Sequence, residues 1–206
     1  MKAHTMHIRT ILYDQSTGKL RRLYDRVKGP DDNVDNIMMA HSLRPHSMEG
    51  HMALYKNVLH HTGNTLPKWF LETLGVWVSA LNGCDYCVDH HFAGLKRLLE
   101  DDEAADALGA AIAARDVPAM PLEPKQKMAM FYAQMLTLAP GDIDEPMVAG
   151  LRAGGFDDGE ILEINQVVAY FNYANRTVLG LGISTDGDAI GLSPGNSDDP
   201  DDWGHT

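Results

Sequence analysis

The sequence predicts an all-α protein, a compact multi-helix bundle. Apolar residues recur at helical spacing along nearly the whole chain. No apolar–polar alternation runs longer than four residues, and no solenoid-type repeat is present. Glycine, proline and asparagine fall at the ends of the periodic runs, where they break helices.

The elements follow in order. Leu20, Leu23, Tyr24 and Val27 stand at i, i+3, i+4 and i+7, one buried helix face, and Gly29-Pro30-Asp31-Asp32 stops it. Met48, Met52, Tyr55, Val58 and Leu59 mark a second helix ending near Gly63. An apolar run from Leu66 to Leu81 follows, with Pro67 suited to a first turn. Asn82-Gly83 breaks it, and a further segment runs from Cys84 to about Leu99. Pro124 and Pro146 read as helix-opening prolines, and Gly154-Gly155 closes a short helix. Asp157 with Glu160 forms a capping-box-like start for a helix through Ile161, Ile164, Val168 and Phe171 to about Leu181.

Residues 1–192 read as one helical domain with an N-terminal extension, and residues 193–206 as an acidic, flexible tail. That tail holds Asp198, Asp199, Asp201 and Asp202 and no Lys or Arg, so a third of the net charge of −12 sits there. Seventeen basic against 29 acidic residues leave no field for nucleic acid or anionic lipid. The opening residues lack an apolar signal core, and no run reaches the ~20 residues of a membrane span. A soluble, cytoplasmic protein with no membrane partner is expected. Met6 is a conceivable alternative start, with Met1–Thr5 as leader.

The chain's two cysteines are too few for a disulfide framework or a four-cysteine metal site. Both fall in Cys84-Asp-Tyr-Cys87-Val-Asp-His90-His91. On a helix Cys84, Cys87 and His91 share one stripe, while His90 is rotated off it. A Cβ separation of roughly 5–6 Å at i, i+3 is long for a disulfide, and small first-turn adjustments close it. The break at Asn82-Gly83 puts Cys84 at a helix N-terminus, where free N–H groups and the helix dipole stabilise a thiolate. An activated thiol, a second thiol in reach and a nearby base are what thiol–disulfide or peroxide chemistry requires. A metal site on Cys84, Cys87 and His91 would require three side chains of one continuous helix to converge, so no metal is expected there.

Cys84-x-x-Cys87-x-x-x-His91 resembles the signature of the alkylhydroperoxidase D-like family, within the carboxymuconolactone decarboxylase superfamily. Glu72, twelve residues before Cys84, stands where that family has a glutamate. Val78-Ser-Ala-Leu-Asn-Gly-Cys84 resembles the family's approach to its active helix. Leu43-Arg-Pro-His-Ser47 and Phe171-Asn-Tyr-Ala-Asn-Arg176 resemble its peroxidase-related branch. The likeness spans about Ile8 to Ile183.

The resemblance implies an all-α fold and cofactor-independent reduction of hydroperoxides. Cys87 would be the peroxidatic cysteine. Cys84 would protonate the leaving oxygen and then close the disulfide. Glu72 and His91 would form a proton relay that deprotonates Cys87, through water where needed. A dithiol or thiol-protein reductant and a homo-oligomer, dimer to hexamer, are implied partners. One departure stands out: Tyr86 occupies the place of a second relay histidine in the best-known member, and a tyrosine is no base near neutral pH. His90 is a substitute that its helical position argues against. Two alternatives keep the motif or the fold: a non-catalytic redox sensor or binding module, and a carboxymuconolactone decarboxylase-like enzyme, whose branch generally lacks the paired cysteines.

His41, His46 and His51, five apart, share no helix face and read as ordinary histidines, as does the pair His60-His61. Asn165, Asn172 and Arg176 form a polar stripe, either a pocket wall or subunit contact, or inter-helix hydrogen bonding. The eleven methionines, Met128 and Met135 among them, read as core filling.

Overall fold

The computed structural model describes residues 6–205, so the leader reading of Met1–Thr5 lies outside the described residues. Nine α-helices are present among them, and the only β pairing is an isolated bridge between Pro194 and His205. The helices are α1 (Gly18–Val27), α2 (Asn36–Ala40), α3 (Pro45–Leu59), α4 (Lys68–Asn82), α5 (Asp85–Leu99), α6 (Asp102–Ala113), α7 (Pro124–Leu138), α8 (Glu145–Ala153) and α9 (Asp158–Leu181). Two of these, α2 and α6, were not foreseen from the pattern. Among the described residues no helix is long and apolar enough to cross a membrane.

Helix α4 is the hub and packs on α5, α7 and α9. Its residues from Phe70 to Ser79 are buried all round, as expected of a helix apolar on every side. Gly75 sits where α9 crosses: a Cβ there would lie 2.2 Å from the Phe171 ring. The Trp77 indole N–H donates to the Met130 carbonyl at 3.0 Å and ties α4 to α7. At its end Gly83 adopts φ +68°, the left-handed conformation that suits glycine, and turns the chain into α5. Pro67 is the residue just before α4, rather than in its first turn. The predicted capping box of α9 forms, Glu160 N–H to Asp157 Oδ1 at 2.8 Å and Asp157 N–H to Glu160 Oε2 at 3.0 Å.

The acidic segment is the main correction to the expected domain layout. Residues 193–205 pack against the helices instead of extending into solvent. Lys56, fully buried, donates to the Gly195 carbonyl and to Ser197 Oγ at 2.8 Å, with Asp202 Oδ2 at 3.5 Å. Trp203 is buried beneath the Arg26 guanidinium, 3.7 Å from its ring centre. Arg26 also pairs with Asp201 at 2.7 Å. Asp198, Asp199 and Asp201 do face water, while Pro194, Trp203 and His205 face inward. Composition averaged over both faces reads as a tail; the inward residues make it a strap.

Candidate active site

The turn at Gly83 makes Cys84 the cap residue of α5 and Cys87 its third residue. Both are free thiols and nearly sealed from solvent. Their sulfurs are 3.2 Å apart, one S–H directed at the other sulfur. A disulfide requires about 2.05 Å, so a small rotation closes the pair. The S–H of Cys87 holds the Cys84 thiol below its ordinary range, helped by the Cys87 backbone N–H and the Asn175 amide, against the effect of burial. The same contact, with burial, pushes Cys87 well up. Cys84 is therefore the more acidic thiol of the pair, as helix-terminus logic predicts.

Access runs the other way. Cys87 lines a small cavity and Cys84 does not. Cys84 instead packs with Ala40, Val178 and Ile183. The cavity leaves about 40 Å3 to the centres of water-sized molecules, room for roughly two or three waters or one hydrogen peroxide. Glu72 and His91 line it too, and Glu72 Oε2 accepts from His91 Nδ1 at 2.8 Å. Glu72, otherwise a lone carboxylate in the apolar α4, thus has its partner on α5. The four residues singled out in the sequence lie together: three on the cavity wall and Cys84 behind Cys87. Among the described residues no three of His, Cys, Asp and Glu are grouped to hold a metal ion.

Several cavity residues escaped sequence reasoning. His90, read as rotated away, also lines the cavity, because the wall wraps around that side of α5. Its Nε2 is 3.3 Å from Asp188 Oδ2, angled off a full hydrogen bond. Asp188 accepts from Tyr86 Oη at 2.7 Å and from the Asn36 N–H at 3.0 and 3.1 Å. Tyr86, in the relay position, is thus a hydrogen-bond donor to Asp188. Asp35 sits nearby, its carboxyl pushed up to about 6 mainly by burial. His51, Tyr55, Tyr170 and His205 complete much of the wall; His46 is exposed and does not line it. Burial holds His51 down to about 3 and His205 to about 4, so both are neutral at pH 7.

The polar stripe of α9 resolves into inter-helix hydrogen bonding. Asn165 donates to Tyr132 Oη at 2.8 Å, and Asn82 donates to Asn172 Oδ1 at 3.0 Å. Arg176 instead stays within α9, donating to Asn172 Oδ1 at 2.7 Å. Asn175, one place off that stripe, binds Ser79 and Asn82 and is the one that influences both thiols. Its only sequence signal was a polar residue on a buried helix.

A helical bundle with a paired-thiol site at a helix start defines a thiol-bearing, all-α class of protein. The family model of the carboxymuconolactone decarboxylase family matches residues 45–121, the stretch that carries Glu72, Cys84, Cys87 and His91. An uncharacterized peroxidase-related protein from Silicibacter sp. TM1040 is 27% identical, with a TM-score of 0.66 over 73% of this chain and 76% of that one. An uncharacterized peroxidase-related protein from Ralstonia eutropha JMP134, described as an alkylhydroperoxidase core, is 23% identical, with a TM-score of 0.74 over 88% of this chain and 93% of that one. A protein of unknown function from Agrobacterium tumefaciens shares the fold, with 21% identity and a TM-score of 0.55 over 70% of this chain and 93% of that one. No curated protein matches the sequence. Over residues 45–121 the chain is thus similar to the carboxymuconolactone decarboxylase family, and its all-α fold is similar to that of the peroxidase-related proteins.

Proposed function

We propose that the protein is a cofactor-independent thiol peroxidase that reduces small hydroperoxides through Cys87 and Cys84. The observation that carries this reading is the division of labour in the pair: Cys87 faces the cavity, and Cys84 lies 3.2 Å behind it. His91, backed by Glu72, takes the Cys87 proton. The Cys87 thiolate attacks one peroxide oxygen, forming an S–O bond as the O–O bond breaks, and becomes a sulfenic acid. The Cys84 thiolate then attacks that sulfur. An S–S bond forms, and the sulfenic oxygen leaves as water with a proton. A dithiol reductant restores both thiols.

The cavity size favours hydrogen peroxide or a small alkyl hydroperoxide. Self-association belongs to the same proposal; Met128, Phe131 and Leu138, exposed along α7, support it. The test is a stoichiometric peroxide pulse on the reduced protein. The wild type is expected to lose two thiols per chain, and Cys84→Ser to stop at a sulfenic acid that dimedone traps. Retention of both thiols, or equal oxidation of Cys87→Ser, would overturn the reading.

A further inference from the structure

Two carboxylate–histidine pairs reach the same small cavity from neighbouring positions on α5. His91 pairs with Glu72 of α4. His90 stands 3.3 Å from Asp188, which lies in the segment after α9. His90 is over nine-tenths buried, and its Nε2 has no full hydrogen-bond partner. Asp188 does not line the cavity; it stands behind His90, held by Tyr86 and the Asn36 N–H. A second carboxylate, Asp35, faces the same histidine, with His205 3.9 Å from it.

Peroxide cleavage by a thiolate requires two proton movements: one off sulfur and one onto the leaving oxygen. The implied donor for the second, Cys84, does not reach the cavity and lies behind Cys87. With His91 assigned to the first, two cavity histidines remain with a carboxylate nearby: His205, 3.9 Å from Asp35 and held neutral by burial, and His90, 3.3 Å from Asp188, which is the one on α5 beside the cysteines. We propose, resting on the thiol peroxidase reading, that His90 is the catalytic acid that protonates the leaving oxygen and that Asp188 is its positioning residue.

The step balances. The Cys87 sulfur supplies the electron pair of the new S–O bond. The O–O pair stays on the departing oxygen, which takes a proton from the His90 imidazolium and leaves as water or an alcohol. Sulfur is oxidised to the sulfenic acid, the peroxide is reduced, and His90 regains its proton from solvent. Separate acid and base groups let both transfers accompany one bond cleavage.

The experiment compares two oxidants in single-turnover stopped flow on the reduced full chain. Hydrogen peroxide expels a poor leaving group that requires a proton; peracetic acid expels acetate, which does not. His90→Gln and His90→Asn are expected to slow the reaction with hydrogen peroxide by about 100-fold and that with peracetic acid by no more than about threefold. Asp188→Asn is expected to show the same split, about tenfold in size. Equal slowing with both oxidants, or none with either, would overturn the role of His90. A wild type inert to both would instead overturn the peroxidase reading on which it rests.

Discussion

The α4–α5 hairpin and the C-terminal strap wall the same cavity by opposite means. The hairpin is held by apolar burial around α4 and one left-handed glycine turn. The strap has few apolar anchors, Trp203 foremost, and is pinned by cations of the bundle: Lys56, Arg26 and Arg97, which donates to the Gly191 carbonyl. Apolar contacts fail through voids and clashes. A strap held by buried charge fails by leaving that charge without partners. The hairpin supplies the cysteines, His91 and Glu72; the strap side supplies Asp188, Leu192, Ser193 and His205.

The largest expected effect tests the strap. Deleting residues 193–206 strips the Lys56 ammonium of its partners and is expected to cost about 3–5 kcal/mol. Combining the deletion with Lys56→Met should recover much of that loss in urea unfolding. An equal loss with and without Lys56→Met would show that the charge does not set the strap's stability.

Acid comes next. Buried histidines with lowered folded-state values contribute stability that is present above their ordinary value near 6.5 and lost as pH falls through the folded value. His205 at about 4 and His51 at about 3 act this way, and His60, held well below its ordinary range by burial, acts with them. Asp35, raised to about 6, opposes them: its contribution is present below 3.8 and lost as pH rises through about 6. Three histidines outweigh one carboxyl, so stability should fall from pH 6.5 toward 4. The share of His205 reaches roughly 3 kcal/mol below its folded value. Thermal melts of His205→Asn across that range should show a flatter slope; an unchanged slope would remove His205 from the account.

The hairpin answers to sterics instead. Gly75→Ala drives a methyl into the Phe171 ring, which is fully buried and packs edge-on against His91 at 4.7 Å. A cost of about 1–3 kcal/mol is expected, with shifted His91 ring resonances by NMR. Gly150→Ala in α8, where nothing lies within 4 Å of the added carbon, should be neutral or slightly stabilising. Similar melting points for the two variants would show that the α4–α9 crossing tolerates the methyl.

The smallest effect lies on the surface. Lys19 and Glu49 pair at 2.6 Å with both side chains well exposed. Breaking this pair with Lys19→Met should change stability by less than about 1 kcal/mol.

Much of the hairpin was legible in the sequence because its information is local. A glycine break, an i, i+3, i+7 stripe and a lone glutamate in an apolar run each act within a helix or two, and Glu72 was singled out by family likeness. The strap was illegible for the converse reason. Asp188 meets Tyr86 across 102 positions, and Lys56 meets Ser197 across 141. Trp203, a large apolar residue amid aspartates, was the one sign that the segment had an inner face.

The sequence by itself determined most of the helices, the thiol pair and the histidine beside it, since helical periodicity fixes which side chains share a face. Only the tertiary structure decided which thiol meets the cavity, that His90 joins its wall and that the acidic segment closes it. Those outcomes depend on packing and buried charge between distant segments, which no local spacing encodes.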